Sequence, residues 1–332
     1  MKLPSLAILI TTYNGQRFIG ELLDNVAAHQ SAVSPIPVFI FDDCSKDRTI
    51  EVAREKVRAF PLRIFRQPRN GGEQVNTNSA MVVLHQLGFE WVLLVHQDDL
   101  MGAWLEHLLE ILESRRPGMG MICSGNSYVN LERGDLAAEM LQRPADPPLL
   151  YHPGNVETIV SLHERWFWNM SGSCIRPDAY IKLGGLHTTL KCCGDNDFIV
   201  RFLEGGYGIL EAQWPAMLKR FSAGSQTSNA LRTAADLSGW SYIMFKFLDY
   251  SSRPERFVES CSYLYKCARR SLSFAKRGDW KAVWAQAVGF VGLARSLAAL
   301  FLGKWLLPLQ VKKFLEYKFE PLTSDCGVEE IR

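Results

Sequence analysis

The stretch that decides the fold is WVLLVHQDDL, residues 91–100. It begins as a continuous apolar run of strand length and ends in His96, Gln97, Asp98 and Asp99. An apolar strand without alternation is typical of a sheet that is covered on both faces. The sequence therefore predicts a buried strand whose carboxyl end carries two adjacent carboxylates and an imidazole.

Three further apolar runs of strand length lie upstream, namely LAILI (6–10), PVFIFDDCS (37–45) and LRIFRQ (62–67). Apolar residues at helical spacing separate the runs, over residues 16–30, 48–57 and 78–87. Strands that alternate with helices in this way predict βαβ units. We therefore predict an α/β protein with a Rossmann-like, mostly parallel sheet and helices on both faces.

Polar clusters follow three of these strands directly, at Thr11–Asn14, Asp42–Ser45 and His96–Asp99. Ligands of open parallel sheets bind beyond the carboxyl ends of the strands. We therefore expect the three clusters to converge on one crevice.

The acidic pairs in these clusters have two interpretations each. Asp98 and Asp99 suit a hard divalent cation that bridges phosphates, but Asp99 also suits the N-cap of a helix expected to begin near Met101. Asp42 and Asp43 suit a ribose hydroxyl or a base N–H, although the same residue types cap turns.

A third acidic pattern, GDND (194–197), opens a predicted amphipathic helix. The helix dipole favours Asp195 and Asp197 at this end, which makes capping one interpretation. A carboxylate in a crevice is also the group that deprotonates a hydroxyl nucleophile.

Six segments together resemble family 2 of the glycosyltransferases, which has the GT-A fold. They are ILITTYNGQRFIGELLDNVAAHQ, VFIFDDCSKDRTIEVA, RNGGEQVNTNSA, WVLLVHQDDL, SGSCIRPDAYIKLGGL and CGDNDFIVRFLEGGY. They span roughly residues 5–225 in the family's order and spacing. The QDD form is similar to the rhamnosyltransferase-like branch of that family.

The resemblance implies a role for each matching position. Asp195 would be the general base, and Asp98, with Asp99 beside it, would hold a divalent cation, Mg²⁺ or Mn²⁺. The implied contacts to the nucleotide-sugar are Thr11, Tyr13, Asp42, Asp43, Asn70, Asn78, His96 and Gln97. The implied acceptor contacts are Trp168, Gly172, Ser173 and Asp197, with Trp166 also placed to stack on a sugar or to pack in the core.

The implied reaction is the transfer of a sugar from a nucleotide-diphospho-sugar, with inversion of the anomeric configuration. The donor is expected to be dTDP-rhamnose or a UDP-sugar. The acceptor is expected to be a hydroxyl of a glycan or a lipid-linked glycan in bacterial surface-polysaccharide assembly.

The sequence also departs from the family pattern. His96 replaces the first Asp of the metal-binding signature, and imidazole suits transition metals better than Mg²⁺. Gly194 replaces the Glu that normally precedes the base, and Thr77 replaces a common Arg. These departures keep a second interpretation open, in which the chain is a catalytically inactive scaffold that binds glycans or nucleotides.

The C-terminal part is expected to be a separate helical region, residues 229–332, after a GT-A domain over residues 1–228. That domain divides into a nucleotide-binding half, about 1–118, and an acceptor half, about 119–228. Residues 241–320 carry 14 Lys/Arg and 6 Asp/Glu, a surplus of 8, so the rest of the chain carries 2 − 8 = −6. The apolar stretch 282–303 within this basic region predicts either a helix at a membrane surface or a helix packed on the domain.

Composition narrows the class of protein further. The net charge of +2 does not point to nucleic acid, and the eight cysteines lack a C-x-x-C pair. Residues 1–10 do not resemble a signal peptide. The G-x-G-x-x-G of a dinucleotide dehydrogenase and the basic, glycine-rich loop of a nucleotidyltransferase do not follow the first strand. We expect a cytoplasmic protein, with the inner face of the cell membrane as the other expected location.

Overall fold

The structure is a computed structural model of the 332-residue chain. It describes residues 5–30, 35–56, 60–102, 104–113, 118–125, 149–155, 170–215, 217–218, 220, 226–246, 250, 252–324 and 326–331. Trp166 and Trp168 lie outside the described residues, so their predicted acceptor contacts stay predictions.

Nine strands form one mixed sheet, in the order β11-β3-β2-β1-β4-β8-β6-β9-β7. Their bounds are β1 Leu6–Thr12, β2 Val38–Asp42, β3 Leu62–Arg66, β4 Trp91–His96, β6 Met119–Gly125, β7 Leu149–Tyr151, β8 Cys174–Ile175, β9 Gly208–Pro215 and β11 Glu329–Ile331. Strands β3, β2, β1 and β4 run parallel to one another, as predicted. Strand β8 is inserted antiparallel between β4 and β6.

The helices occupy the connections between these strands and most of the C-terminal region. They are α1 Ile19–His29, α2 Thr49–Glu55, α3 Glu73–Gln86, α4 Trp104–Glu113, α5 Pro177–Lys182, α6 Gly194–Glu204, α7 Gln226–Thr233, α8 Ala235–Lys246, α9 Arg253–Lys276, α10 Trp280–Leu302 and α11 Leu309–Leu315. A short 3₁₀ turn, Lys304–Leu306, joins α10 to α11.

Strand β1 shows why the sheet needs helices on both of its faces. All seven of its residues are buried. Leu6, Ile8 and Ile10 join a core with α1, α2 and α4, whereas Ala7 and Leu9 join a core with α3, α5, α6 and α8. Because successive side chains of a strand point to opposite faces, a continuous apolar run requires cover on each side. The predicted two-sided α/β fold is confirmed.

The segment after β4 differs from the predicted helix start near Met101. Leu100–Met101 forms a short strand, β5, which pairs antiparallel with β10, Met217–Leu218. Helix α4 begins only at Trp104. Asp99 therefore precedes a strand, and its interpretation as the N-cap of that helix is wrong.

A strand near the end of the chain is an addition to the predicted helical region. Strand β11 pairs antiparallel with β3, which would otherwise be the edge of the sheet. The Arg63 guanidinium donates two hydrogen bonds to Glu330, from Nε at 2.8 Å and from Nη2 at 2.7 Å. The C-terminal segment is thus anchored on β3, at the edge of the parallel part of the sheet.

Candidate functional site

The strand ends converge as predicted at the carboxyl edge of β1, β2 and β4. In the parallel register Thr11 of β1 is level with His96 of β4, and Thr12 is level with Asp42 of β2. A single crevice edge therefore receives the side chains that follow all three strands.

Gln97 holds the loop that follows β1. Its Oε1 accepts hydrogen bonds from the Thr12 hydroxyl at 2.5 Å and from the Tyr13 amide at 3.0 Å, and its Nε2 donates to the Tyr13 carbonyl at 3.1 Å. A Cβ on Gly15 would lie 2.1 Å from Gln97 Oε1, so this packing requires glycine. Tyr13 remains 40% exposed above the edge. Gln97 thus positions Tyr13, whose ring is available to a ligand.

Asp43 organises the loop that leads into α3. Its two carboxylate oxygens accept hydrogen bonds from the amides of Gly71 and Gly72, each at 2.8 Å. Burial raises the pKa of Asp43, although these two amides oppose the shift. Asn70, immediately before the two glycines, is exposed. The predicted contact of Asp43 with ribose competes with its use as a loop anchor, whereas Asn70 is free to turn toward the crevice.

Asp42, the last residue of β2, is completely buried. Its Oδ2 accepts from the Ser45 amide at 2.9 Å and lies 3.5 Å from Arg66 Nε, while Arg66 also donates to the Ser45 carbonyl. Burial raises the pKa of Asp42 despite the hydrogen bonds from Ser45. Among the described residues, none is a hydrogen-bond partner of its Oδ1. Asp42 therefore holds the loop at Ser45 in place, and it would contact a nucleotide only if that loop moved.

The end of β4 brings four charged or titratable groups together. His96 Nε2 lies 2.9 Å from Oε1 of Glu73, the first residue of α3. Asp98 is mostly buried, and this burial, the adjacent Asp99 and then Glu73 raise its pKa, whereas His96 acts in the opposite direction. A positive charge placed here would therefore relieve carboxylate repulsion.

Glu73 is the functional candidate that the sequence reasoning missed. It is the acid at the head of α3, in GGEQ, where an Asp or Glu ordinarily serves the helix dipole. In the sequence, the two preceding glycines are the signal that sets Glu73 apart. In the structure one of them, Gly72, has a φ of 86°. Its contact with His96 is a tertiary one across the sheet edge.

The acidic cluster does not form a complete cage for a cation. Over the described ranges, no group of three or more His, Cys, Asp or Glu is arranged to hold a metal ion. Mg²⁺ is commonly held by one or two carboxylates together with the phosphates of a substrate. The donor set of Asp98, with Asp99 and His96 beside it, fits such an ion only if the donor diphosphate completes the coordination.

The segment before β8 closes the other side of β4. The Gly172 amide donates to the Leu94 carbonyl at 2.7 Å, and the Leu94 amide donates to the Ser173 carbonyl at 2.9 Å. Ser171 accepts from the His96 amide at 3.1 Å. Ser173 is completely buried, which argues against its predicted acceptor contact. Gly172, with a φ of 91°, lets the chain turn along β4 and fix His96.

Asp195 lies in the first turn of α6 and is partly exposed, and its Oδ1 accepts from the Asn196 amide at 3.1 Å. The start of α6 is tied to the start of α3, because Gln74 donates to the Leu190 carbonyl at 3.3 Å. Gln74 neighbours Glu73, so the α6 loop and the acidic cluster share the head of α3. The place of Asp195 at this crevice, and its role as the base, stay predictions.

Asp197 is not on the acceptor surface. It is completely buried, with Oδ2 2.8 Å from Arg201 Nε and Oδ1 2.5 Å from the Tyr242 hydroxyl and 3.2 Å from Lys246 Nζ. Burial alone would raise its pKa, but the two cations and the hydroxyl outweigh it and hold the pKa low. Its carboxylate is fully used in joining α6 to α8, which contradicts the predicted acceptor contact.

Asn78 is likewise used inside the protein. Its Oδ1 accepts from the Tyr180 hydroxyl at 2.7 Å and the Leu186 amide at 2.8 Å, and its Nδ2 donates to the Leu186 carbonyl at 3.0 Å. The residue is buried and ties α3 to the loop before α6. Its influence on a donor would pass through that loop, and direct contact stays a prediction.

Comparison with known proteins finds a family match for the part of the chain that forms this sheet edge. Residues 7–138 match the family model described as glycosyl transferase family 2. This part of the chain is therefore similar to the family 2 glycosyltransferases. The matched segment contains Tyr13, Glu73 and the His96–Asp99 cluster, and it ends before Asp195.

Two curated relatives are glycosyltransferases. An uncharacterized glycosyltransferase of Haemophilus influenzae is 26% identical over 200 residues, 60% of this chain and 62% of that protein. The poly(ribitol-phosphate) β-N-acetylglucosaminyltransferase TarS of Staphylococcus aureus is 29% identical over 93 residues, 28% of this chain and 16% of TarS. The chain therefore spans less than two thirds of the length of either relative.

Solved structures show the same fold over most of the chain. The S. aureus TarS fragment 1–349 in complex with UDP-GlcNAc has a TM-score of 0.58 at 16% identity, covering 93% of this chain and 83% of that one. The mannosyltransferase PcManGT of Pyrobaculum calidifontis, in complex with GDP-Man and Mn²⁺, has a TM-score of 0.53 at 16% identity, covering 95% and 79%. The chain thus has a GT-A-like fold with a C-terminal helical region.

Proposed function

We propose that the chain is a glycosyltransferase that moves a sugar from a nucleotide-diphospho-sugar to a hydroxyl of a glycan or lipid-linked glycan, with inversion at the anomeric carbon. The observation that carries the proposal is the cluster of Glu73, His96, Asp98 and Asp99 at the carboxyl edge of the sheet, in the segment that matches the family 2 model, with Tyr13 exposed directly after β1. The proposed setting is surface-polysaccharide assembly at the cytoplasmic face of the cell membrane.

In this proposal Tyr13 stacks on the nucleotide base, held in place by Gln97. The diphosphate lies over Asp98, and a divalent cation, Mg²⁺ or Mn²⁺, supplies the positive charge that a leaving diphosphate needs. His96, oriented by Glu73 and by the amide contact with Ser171, donates a hydrogen bond to the donor. Carboxylates alone would repel the phosphates, so binding would need the charge of the cation, with the imidazole of His96 as an added hydrogen-bond donor.

Asp195 accepts the proton of the acceptor hydroxyl as that oxygen attacks the anomeric carbon. The new bond forms between the acceptor oxygen and this carbon, and the bond to the diphosphate oxygen breaks on the opposite face. The diphosphate leaves with the electron pair of the broken bond, and the configuration inverts. Asp195 suits this role because it is partly exposed at a helix N-terminus.

The donor sugar is the finer part of the proposal. The QDD sequence favours L-rhamnose carried on dTDP, whereas the similar structures hold UDP-GlcNAc and GDP-Man. Nucleotide preference is therefore best measured directly.

The first experiment is calorimetric binding of dTDP, UDP and GDP, each with Mn²⁺, with Mg²⁺ and with EDTA. We expect one nucleotide to bind in a metal-dependent way, and Asp98→Ala to weaken that binding by about tenfold or more, since one charged contact is lost. The matched control is Asp24→Ala, which removes an exposed carboxylate of α1 that is paired with Lys56. Binding that is indifferent to both metal and Asp98 would refute the assigned role of the cluster.

A second interpretation, an inactive scaffold, is supported by His96 and Gly194 standing where the family carries acids. Asp195→Asn separates the two. An enzyme loses sugar transfer by roughly 10²-fold or more while nucleotide affinity is kept. A scaffold binds the nucleotide, does not transfer sugar, and is unchanged by the substitution.

A further inference from the structure

Helix α10 carries apolar side chains on its exposed side as well as on its buried side. Its polar residues Gln286 and Ser296 are completely buried. Gln286 donates to the Leu231 carbonyl at 2.7 Å, and Ser296 donates back to the Gly292 carbonyl at 3.1 Å. Five apolar residues of the helix are buried as well, namely Ala282, Leu293, Leu297, Ala299 and Leu300. Large apolar side chains also lie on the exposed side, where a helix that packs on a core normally presents polar residues to water.

The outward residues fall on a single stripe. Trp280, Trp284, Val288, Val291 and Leu302 are 68%, 73%, 56%, 58% and 68% exposed, respectively. Successive members of this set are four, four, three and eleven positions apart, and these intervals place them on one side of the helix. Trp305, in the 3₁₀ turn beyond the helix, is 71% exposed. These six residues are called the α10 face below.

An exposed apolar surface of this extent is unusual on a protein that meets only water. Two tryptophans mark its beginning and one its end. Tryptophan combines a large apolar ring with one N–H donor, so it is stable where an apolar phase meets water. The composition of the α10 face thus fits a lipid–water boundary better than a protein core.

The charge around the α10 face is of one sign. Residues 276–315 contain seven Lys or Arg and one acid, Asp279. That acid is already paired with Arg232 at 2.8 Å and caps the helix. Lys281, Arg295 and Lys304 are exposed beside the stripe. A basic, aromatic and apolar face complements the negative potential of an anionic leaflet.

The packing of α10 determines whether it could span a bilayer. Within the part of the chain that the structure describes, α10 alone is long and apolar enough, with 23 residues and a mean hydropathy of 1.6. However, its inner side is tied to the protein through Gln286, and a Cβ on Gly289 would lie 2.7 Å from Leu237 and 2.8 Å from Ala234. A helix so closely packed on α8 lies along a surface.

We infer that the α10 face inserts into the interfacial region of an anionic phospholipid bilayer and holds the domain at the membrane surface. The inference goes beyond the proposed transferase activity and does not depend on which sugar is moved. It would bring a lipid-linked acceptor and the crevice to the same surface.

The test is co-sedimentation of the full chain with vesicles of phosphatidylcholine alone and of phosphatidylcholine with phosphatidylglycerol. We expect binding to the anionic vesicles that weakens at high salt because of screening. The triple variant Trp280→Ala/Trp284→Ala/Trp305→Ala should reduce partitioning by roughly a hundredfold, since three large apolar side chains no longer enter the interface. These side chains are exposed, so the variant is expected to fold, and its nucleotide binding reports this independently.

The matched control is Leu87→Ala/Leu149→Ala/Leu150→Ala, which truncates three leucines that are 39–40% exposed in the segment that matches the family 2 model and in strand β7. It should bind vesicles as the unchanged protein does. Equal binding by the tryptophan variant, or no binding of the unchanged protein to anionic vesicles, would overturn the inference.

Two other occupants of the α10 face give different results. If a second copy covers it, light scattering without vesicles shows a dimer that the tryptophan variant dissociates. If α10 spans the bilayer, alkaline carbonate fails to extract the protein from cell membranes, whereas an interfacial protein is released. Either result would refute interfacial docking while leaving nucleotide binding, and thus the proposed function, intact.

Discussion

At the scale of single residues, the crevice depends on side chains that hold the loops more than on side chains that face a ligand. Gln97 shows this most clearly, because both ends of its amide are used by Thr12 and Tyr13. In the sequence, Gln97 is one residue of HQDD with no pattern that predicts these contacts. Gln97 would affect a ligand indirectly, by holding Tyr13 at the surface.

Gly15→Ala should therefore affect nucleotide binding without touching the nucleotide. The new Cβ would lie 2.1 Å from Gln97 Oε1 and 2.7 Å from Thr12 Oγ1, so both side chains must move away from it. We expect a loss of ~1–3 kcal/mol in the free energy of unfolding, as for overpacking. We also expect nucleotide affinity to fall by roughly tenfold. Urea denaturation and calorimetry measure the two effects.

Gly292→Ala is the matched control, because a Cβ there meets only Pro308 at 3.9 Å and the position is inside a helix. It should leave nucleotide affinity unchanged and add up to about 1 kcal/mol of stability. If Gly15→Ala bound nucleotide as well as the control, Tyr13 would not be a contact for the base.

At the scale of elements, helix α6 connects the candidate base to the C-terminal region. Asp195 and Asp197 lie two residues apart in its first turn, yet one is partly exposed and the other is completely buried. The buried one joins Arg201 of its own helix to Tyr242 and Lys246 of α8. Arg201 in turn donates to the carbonyls of Leu183 and Gly185. The position of Asp195 is therefore set by an ion network behind it.

Asp197→Asn should destabilise the protein by roughly 3–5 kcal/mol, because it leaves Arg201 and Lys246 without their buried counter-charge. The comparison is Asp24→Asn, which breaks an exposed pair with Lys56 and should cost no more than about 1 kcal/mol. Thermal and urea denaturation measure both. Equal losses in the two variants would show that the buried network does not contribute beyond a surface pair.

The same network sets a pH dependence. The pKa of Asp197 is lowered in the folded state, so the folded protein resists protonation more than the unfolded chain does. The stabilisation is present above the ordinary pKa of Asp, 3.8, and is lost as the pH falls through the lower folded value. Asp197→Asn should flatten the acid limb of the stability curve. A variant that lost stability in acid as steeply as the unchanged protein would contradict this.

At the scale of the whole molecule, the end of the chain closes the sheet that the beginning of the chain opens. Strand β11 pairs with the edge of β3, and Arg63 donates two hydrogen bonds to Glu330 across the pair. An uncovered edge strand offers unpaired backbone groups to other chains. The C-terminal segment thus lies beside β3 in space, although it is remote from β3 in sequence.

Deletion of residues 326–332 should lower the free energy of unfolding by about 1–2 kcal/mol, the sum expected for three cross-strand pairs. It should also promote aggregation through the exposed edge of β3. Glu330→Gln separates the two contributions, because it removes the charge of the exposed ion pair but keeps the strand. Thermal denaturation and light scattering measure the effects, and a truncated chain that is as stable and as monodisperse as the full one would refute the role of β11.

The sequence by itself determined the class of fold and the edge at which the site lies. Continuous apolar runs such as residues 91–95 demand cover on two faces, and polar clusters that follow parallel strands must meet at one edge, because both consequences depend only on local periodicity. Tyr13, which directly follows β1, is exposed at that edge, and its contact with a nucleotide-sugar stays a prediction.

Only the tertiary structure decided which of the acids are exposed and which are buried anchors. Asp195 and Asp197 have the same local signal, yet only Asp197 is fully buried, because α8 packs against it. Asp42 and Asp43 are both buried and differ in their partners, because the loop at Gly71 is distant in sequence and binds only Asp43. The pairing of Glu73 with His96, the strand β11 and the outward tryptophans of α10 have the same origin. Burial and pairing depend on what packs against a residue, and a linear pattern does not contain that information.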